Sequence, residues 1–182
     1  CLHGNPSWSF YYRELIQELS KTHHVLAPDH IGCGLSDKPD DSRYPYRLER
    51  RIDDLEAWLD ALDIKQNITL VMHDWGGAIG MGYATRHPER VSRLVVMNTA
   101  AFPMPRAKEL PWPLWFCRST KLGDLFVRGF NGFVWGWLLL GCKKRRLNAS
   151  ERAAYRAPYD SYKNRIAVLR FVQDIPLDRN DP

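Results

Sequence analysis

Residues 68–77 read Ile68-Thr69-Leu70-Val71-Met72-His73-Asp74-Trp75-Gly76-Gly77. The first five residues are an apolar, β-prone run, which predicts a central strand of a parallel sheet. A single carboxylate, Asp74, then precedes two glycines, and residues 76–86 predict a helix that ends at His87-Pro88. A strand that turns through one polar residue into a helix presents that side chain above the sheet. The stretch therefore predicts an α/β fold with Asp74 at the carboxyl end of a strand.

The segments on either side continue the α/β alternation. Residues 25–27 (Val-Leu-Ala) predict a short buried strand, and residues 94–97 (Leu-Val-Val-Met) predict the strand that follows the helix. Between them, apolar residues recur at spacings of four and three, which indicates one face of a helix. These residues are Leu48, Ile52, Leu55, Leu59 and Leu62. Apolar strands alternating with helices predict a mostly parallel sheet with helices on both faces.

The composition changes after residue 102. Residues 103–147 are rich in proline, tryptophan and phenylalanine, and residues 149–172 indicate helix, with Asn148 or Ser150 as its N-cap. We predict a partial α/β core over residues 1–102 and an inserted helical cap, or lid, over residues 103–182. The large apolar side chains of the cap are expected to line a tunnel, with ordinary packing under the cap as the alternative. They are Trp112, Trp115, Phe126, Phe130, Phe133, Trp135, Trp137 and Leu138 to Leu140.

The overall composition is that of a globular protein. Of the 182 residues, 45% are hydrophobic and 26% are charged, which excludes disordered, collagen-like and low-complexity classes. The four cysteines have neither paired nor zinc-like spacing, so we expect free thiols in a reducing, cytoplasmic compartment, and neither metal nor other cofactor. Because the chain starts within an expected strand and loop, we also expect it to be truncated at its N-terminus.

Charge is spread unevenly along the chain. Residues 1–102 hold 11 Lys and Arg against 14 Asp and Glu, whereas residues 103–182 hold 15 against 7. No nucleic-acid motif accompanies the basic half, so a solvated basic face is the simplest interpretation. Residues 129–142 carry no charged side chain and are too few to span a bilayer. They precede Lys143-Lys144-Arg145-Arg146. A buried helix with a basic end is one interpretation; peripheral contact with an anionic membrane, or with partner enzymes, is another.

The strand, turn and helix around Asp74 match the nucleophile elbow of α/β-hydrolases. The nucleophile position holds a carboxylate instead of serine or cysteine, and Met72 replaces the usual first glycine. A carboxylate nucleophile suits displacement at a saturated carbon, which forms an ester that a second step must release. A helix N-cap is the structural alternative for Asp74. His73 is its neighbour in sequence, so its side chain is expected to point elsewhere and to be structural.

The loop His3-Gly4-Asn5-Pro6 is expected to supply one N–H of an oxyanion hole, and the backbone of Trp75 the other. Asn5 and Trp75 also carry N–H donors in their side chains. Two such donors beside a carboxylate could hold an anionic leaving group, such as a halide or a carboxylate. A turn residue before proline is the alternative for Asn5. Asp29 and Asp37 are expected to brace a loop.

Three motifs together resemble the haloalkane dehalogenase group of α/β-hydrolases. They are His3-Gly4-Asn5-Pro6, Asp29-His30-Ile31-Gly32-Cys33-Gly34-Leu35-Ser36-Asp37-Lys38-Pro39 and His73-Asp74-Trp75-Gly76-Gly77. Residues 98–103, 157–162 and 170–177 resemble the branch that includes β-lactone decarboxylases of bacterial long-chain olefin biosynthesis. The resemblance covers nearly the whole chain. It implies an α/β-hydrolase fold, with Asp74 as the nucleophile and with Asn5 and Trp75 as the leaving-group clamp.

The resemblance also implies a catalytic triad completed by a histidine and an acid. The family's histidine lies far beyond the cap, whereas no histidine of this chain follows His87. One subgroup has a glutamate where this chain has Asn98. The resemblance thus implies a fragment that lacks the family's N-terminal and C-terminal strands. We therefore expect the general base and its acid partner to be absent from this chain, and the chain alone to be inactive.

Four functions remain open from the sequence. The first is decarboxylation of a cis-β-lactone with long alkyl chains, and its alternative is dehalogenation of a small apolar haloalkane. Epoxide hydrolysis would need tyrosine donors from the cap, and Asn5 favours the first two. A non-enzymatic membrane-binding or protein-binding module would leave Asp74 unexplained.

Overall fold

A computed structural model describes residues 1–101 and 109–177. The predicted boundary between residues 102 and 103 lies outside these ranges, so the division of the chain at that point stays a prediction.

The centre of the fold is the parallel strand pair β1 (Ile68–His73) and β2 (Val91–Met97). In register, Leu70 lies opposite Leu94 and Met72 lies opposite Val96. On the other side of β1, Leu2 forms a parallel bridge to Met72 and donates its N–H to the carbonyl of Val71 at 2.8 Å. The predicted central parallel strand is therefore confirmed.

Two strand expectations need correction. Residues 25–27 form no strand, because their contact with a neighbour is the single 2.7 Å hydrogen bond from the Cys1 ammonium to the Leu26 carbonyl. One bond does not make a ladder. Strand β2 is present, but Leu94, Val95 and Val96 are 43–51% exposed. Within the described ranges, this strand is thus not covered on both faces.

Helices α1 (Arg13–Leu19), α2 (Leu48–Ala61) and α3 (Trp75–Arg86) belong to the first half of the chain. The predicted apolar stripe of α2 is confirmed at Ile52, Leu55 and Leu59, which are buried, while Leu62 lies just past the helix and is exposed. Helix α3 starts directly after β1, as the glycines predict, and packs along α2. The two helices fix the elbow at the end of β1.

The second half of the chain is helical. Its helices are α4 (Trp112–Ser119), α5 (Lys121–Asp124), α6 (Gly132–Leu140), α7 (Ala149–Arg156) and α8 (Ile166–Gln173). Asn148 caps α7: its Oδ1 accepts the Glu151 N–H at 2.8 Å, and Glu151 Oε2 accepts the Asn148 N–H at 2.9 Å. The helix expected over 149–172 is broken, because Pro158 lacks an N–H donor and the chain passes through short 3₁₀ turns.

Helix α8 joins two apolar clusters. Ala167 and Phe171 belong to the cluster around β1 and α3, whereas Val168 and Val172 belong to a second cluster, formed with α4, α6 and α7 and called the cap cluster below. All four side chains are at most 2% exposed. This helix therefore places part of the second half of the chain directly over the carboxyl end of β1.

Replacing Gly76 with alanine is expected to destabilise the fold by about 3 kcal/mol, in the range of overpacked cores. A Cβ at this position would lie 2.0 Å from the backbone oxygen of Leu2. That oxygen cannot yield easily, since it accepts hydrogen bonds from His73 N–H and from the Tyr12 hydroxyl. Gly136→Ala is the matched control, because a Cβ there meets nothing within 4 Å.

Denaturant unfolding of both variants checks this expectation. Gly136→Ala, inside α6, should raise the unfolding free energy by roughly 0.5–1 kcal/mol, since alanine loses less conformational entropy than glycine in a helix. Equal stabilities for the two alanine variants would contradict the close approach of α3 to Leu2.

Candidate active site

Asp74 occupies the turn between β1 and α3 with a strained backbone. Its φ of 52° and ψ of −126° lie in a region that side chains other than glycine rarely adopt. The turn is held by the Gly77 N–H, which donates to the Asp74 carbonyl at 2.9 Å, and by the Thr99 hydroxyl, which donates to the same oxygen. The Asp74 side chain makes no capping hydrogen bond to α3. Its carboxylate is thus directed away from the helix end that it precedes.

The two oxygens of the Asp74 carboxylate differ in their contacts. Oδ1 accepts the backbone N–H of Asn5 at 2.7 Å. Gly4 approaches so closely that a Cβ on it would lie 2.2 Å from this oxygen. Oδ2 accepts no hydrogen bond from the residues that the structure describes. One oxygen is therefore fixed by the loop, and the other is left with lone pairs available for attack.

The structure brings Asn5 and Trp75 to the same place as Asp74. The side-chain amide of Asn5 donates to the carbonyl of Val168 at 3.0 Å, and its Oδ1 is buried without a partner in the described residues. Trp75 is the first residue of α3, so its backbone N–H has no acceptor within the helix. The indole of Trp75 packs on Phe171, with ring centroids 5.2 Å apart. The role of the pair as a clamp stays a prediction.

Two side chains that the sequence did not indicate support Trp75. Phe171, on α8, contacts the indole, and it also contacts the guanidinium of Arg51, whose Cζ is 3.6 Å from the centroid of the Phe171 ring. Arg51 is 2% exposed, and burial lowers the pKa of its guanidinium. Its Nη1 donates to the carbonyl of Ile31 at 3.3 Å. An arginine in an amphipathic helix carries no sequence signal for such a position.

Buried histidines brace the loop that carries Asn5. The His30 N–H donates to Nε2 of His3 at 3.0 Å, and Nε2 of His30 lies 3.1 Å from the His3 carbonyl. Both rings are buried. Burial lowers the pKa of His3 to about 4, and it also lowers the pKa of His30. Both are therefore neutral at pH 7 and act as hydrogen-bonding groups in the loop.

The remaining predicted residues lie close to where they were expected. His73 stacks on Tyr11 at 4.8 Å between ring centroids, and burial lowers the pKa of its imidazole. Its ring makes no hydrogen bond to Asp74 within the described ranges. Asp29 braces a loop, since its carboxylate accepts the N–H groups of Ser9 at 2.6 Å and Leu35 at 2.8 Å. Asp37 differs from the prediction that its carboxylate braces the loop: within the described residues only its backbone carbonyl takes part, accepting the Gly32 N–H at 2.8 Å.

A mostly apolar cavity of about 730 Å³ opens beside Asp74. Its walls come from α2, α3 and the segments 99–101 and 175–176, and include Ile52, Trp75, Ala78, Met81 and Pro176. An open apolar space next to a carboxylate suits an apolar substrate.

The prediction that the large apolar side chains of the cap line a tunnel is wrong for this cavity. None of the ten aromatic and leucine residues proposed for it lines the space beside Asp74 among the residues described. Leu138 is buried in the cap cluster and Trp137 packs against Tyr155 at 5.0 Å, whereas Trp112 and Phe130 are each 71% exposed. The apolar pattern of the cap thus serves its own packing and its surface.

Two absences hold for the described ranges, residues 1–101 and 109–177. Within them, no three His, Cys, Asp or Glu side chains cluster as ligands for a metal ion. No helix there has the length and apolar character needed to cross a membrane.

Lowering the pH from 7 to 5 is expected to cost on the order of 2 kcal/mol of stability through His3 alone. Its pKa is about 4 when folded against 6.5 when free, so the unfolded chain binds more protons between these values. The contribution of His3 to the unfolding free energy is therefore present above pH 6.5 and is lost as the pH drops towards 4. Urea unfolding at several pH values measures this slope.

Two glutamine variants test whether His3 causes this dependence of stability on pH. His3→Gln cannot be protonated, so its stability should change less between pH 7 and pH 5, whatever its absolute value. His23→Gln changes an exposed histidine and should keep the original slope. An unchanged slope in His3→Gln would show that other groups cause the pH dependence.

Comparison with known proteins gives one family and two sets of relatives. Residues 1–124 match the family described as alpha/beta hydrolase fold. The chain is 61% identical over 180 residues to the cis-3-alkyl-4-alkyloxetan-2-one decarboxylase of Shewanella oneidensis, covering 99% of the chain and 57% of the relative. It is 51% identical over 185 residues to the decarboxylase of the same name from Xanthomonas campestris, covering 99% and 61%.

A solved structure has the same fold. The haloalkane dehalogenase DatA from Agrobacterium tumefaciens superposes with a TM-score of 0.85 at 31% identity, covering 98% of this chain and 61% of that one. The chain thus spans 57–61% of the length of these relatives.

Proposed function

The chain belongs to the alpha/beta hydrolase fold family, and from this premise we propose that the protein decarboxylates cis-β-lactones that carry two alkyl chains, with Asp74 as its nucleophile. One observation carries the proposal: Oδ1 of Asp74 is held by the Asn5 N–H at 2.7 Å, while Oδ2 is free beside an apolar cavity. The names of the two decarboxylases supply the substrate class. An oxetan-2-one is a β-lactone, a strained four-membered ring.

The first step is an attack by Oδ2 of Asp74 on the ring carbon that bears both an alkyl chain and the ring oxygen. The bond from this carbon to the ring oxygen breaks, and that oxygen becomes part of a carboxylate attached to the neighbouring carbon. The product is an alkyl ester of Asp74. Relief of ring strain favours this opening.

The second step releases carbon dioxide and restores the aspartate. The electron pair of the bond between carboxylate and carbon forms the alkene, and the ester bond to Asp74 breaks. Inversion in the first step followed by anti elimination in the second leaves the alkyl chains cis. No water or proton is consumed in these two steps.

The leaving carboxylate of the first step would lie near Trp75. Its backbone N–H, free of an intrahelical acceptor, and its indole N–H are suitable donors for developing negative charge. Asn5 serves in two ways in this proposal. Its N–H fixes the nucleophile, and its amide anchors the loop to the carbonyl of Val168.

Haloalkane dehalogenation is the second candidate. The favouring observation is the superposition with a haloalkane dehalogenase at a TM-score of 0.85. Its first step, displacement by a carboxylate, is the same chemistry. Its second step differs, since hydrolysis of the ester needs water activated by a base.

Product analysis of the native gene product tests the proposal. It is supplied in turn with a cis-3,4-dialkyl oxetan-2-one, a 1,2-dihaloalkane and an epoxide, and alkene, halide and diol are measured. Alkene with equimolar carbon dioxide is expected. Halide release without alkene would overturn the proposal in favour of dehalogenation.

Trp75→Phe sharpens this experiment. Phenylalanine keeps an aromatic ring against Phe171 but removes the indole N–H, so kcat should fall by roughly 10²–10³, as for loss of one oxyanion donor. Trp58→Phe, in α2, is the matched control and should keep the native rate. Unchanged turnover in Trp75→Phe would remove the indole from the clamp.

We also propose that the protein works in the reducing cytoplasm. The support is that Cys1, Cys33, Cys117 and Cys142 are all free thiols, two of them buried. Burial raises the pKa of the Cys33 thiol to about 11, which keeps it protonated and unreactive.

A further inference from the structure

Helix α6 ends with two leucines exposed to solvent. Val134 and Leu138 are buried in the cap cluster, but Leu139 and Leu140 are each 70% exposed. A side chain built on Gly136 would meet nothing within 4 Å, so this side of the helix is open. Adjacent exposed leucines at a helix end are unusual for a surface that contacts only water.

Unpaired cations follow these leucines after Gly141 and Cys142. Lys143, Lys144 and Arg146 are exposed and form no ion pair within the residues described. Arg145 differs, since its Nη2 lies 2.7 Å from Glu151 Oε1. Three uncompensated positive charges thus lie within seven residues of the exposed leucines.

A groove of about 500 Å³ separates the basic segment from the start of α1. Its lining includes Leu140, Lys143, Lys144 and Arg13, with Glu14 as the acidic side chain of the groove. Glu14 is itself within 3.2 Å of Arg13 Nη2, which offsets its charge. The groove is therefore a positively charged recess beside an apolar edge.

We propose that Leu139, Leu140, Lys143, Lys144 and Arg146 form a docking face for the surface of an anionic phospholipid bilayer. The leucines enter the boundary between headgroups and acyl chains, and the cations lie against lipid phosphates. Charge complementarity favours a bilayer, because flexible unpaired cations suit a diffuse anionic surface. Two leucines also give too little apolar area for a stable protein interface, which buries about 1,000 Å² or more. The proposal does not depend on the reaction proposed above.

Co-sedimentation of the native gene product with vesicles tests this face. The vesicles contain phosphatidylcholine alone, or roughly one part phosphatidylglycerol to three parts phosphatidylcholine, an anionic surface of moderate charge. Binding is expected to the anionic vesicles and should weaken as salt is raised. The triple variant Lys143→Gln, Lys144→Gln, Arg146→Gln should reduce the partition coefficient about 100-fold, near fivefold for each cation.

Two further variants make the result specific. Leu139→Ser with Leu140→Ser should reduce partition by about tenfold or more, since their insertion is lost. The charge-matched control Lys21→Gln, Arg43→Gln, Lys65→Gln changes three exposed cations outside the cap and should retain most binding, losing only what its lower net charge removes. Thermal unfolding of each variant confirms that all are folded.

Three outcomes would overturn the proposal. They are equal binding to neutral and anionic vesicles, equal binding by the two triple variants, and no vesicle binding together with saturable binding to a purified partner enzyme. The last would assign the face to a protein. None of these residues lies in the site around Asp74, so alkene formation in detergent solution remains a separate measurement.

Discussion

Replacing Asp74 with asparagine is expected to reduce alkene formation by about 10⁴-fold or more, as removal of a catalytic nucleophile does elsewhere. The amide has no anionic oxygen to form the ester, yet it matches the carboxylate in size. Asparagine also tolerates a positive φ better than most residues, so the turn at 52° should persist. The Asn5 N–H can still donate to the amide oxygen. The loss should therefore appear in kcat and leave stability nearly unchanged.

Asp63→Asn is the matched control for this experiment. Asp63 also has a positive φ, 56°, but it is exposed and pairs with Lys65 at 2.6 Å. A surface ion pair contributes little, so this variant should keep the native rate and stability. If Asp74→Asn kept more than about a tenth of native turnover, the nucleophile assignment would be wrong, because the remaining donors cannot form the ester.

The elements that were predicted correctly are those with a local cause. An apolar run, a carboxylate and two glycines are enough to define β1, the turn and α3, since each depends on neighbours within a few residues. Residues 25–27 have the same apolar character but no strand beside them to complete a ladder. The break before α8 follows from Pro158, which the helical periodicity around it concealed.

The sequence predicts the position of the site residues better than their surroundings, and the role of Asp74 as the nucleophile stays a prediction. The motifs predict Asp74, Asn5 and Trp75 as site residues, and the structure places all three together. Their contacts to Val168 and Phe171 join positions more than ninety residues apart, which no spacing along the chain reveals. The prediction that the cap aromatics line the cavity was wrong for a related reason. Apolar periodicity shows that a face is buried, but it does not identify the surface that buries it.

Gly4→Ala is expected to lower kcat by about 100-fold while leaving the protein folded, because displacing a reacting atom by about 1 Å costs roughly this much. A Cβ on Gly4 would lie 2.2 Å from Oδ1 of Asp74, and the carboxylate would have to rotate away. Rotation breaks the 2.7 Å hydrogen bond from the Asn5 N–H and turns Oδ2 out of line for attack. KM should change little, since the apolar walls of the cavity remain.

The backbone at Gly4 makes this test selective. Its φ is not in the left-handed region, so alanine introduces no strain of its own there. The steric effect falls on Asp74, but a Cβ on Gly4 would also lie 2.3 Å from the Cβ of Asp74, which rotation of the carboxylate does not move. The end of the strand must therefore shift as well, and the cost in stability should be about 3 kcal/mol. Gly136→Ala, which meets no neighbour within 4 Å, serves as the control and should retain native kcat. Native turnover in Gly4→Ala would show that attack does not require Oδ1 to be held by the loop. If the variant were largely unfolded under the assay conditions, the loss of turnover would be attributed to folding instead of to the nucleophile.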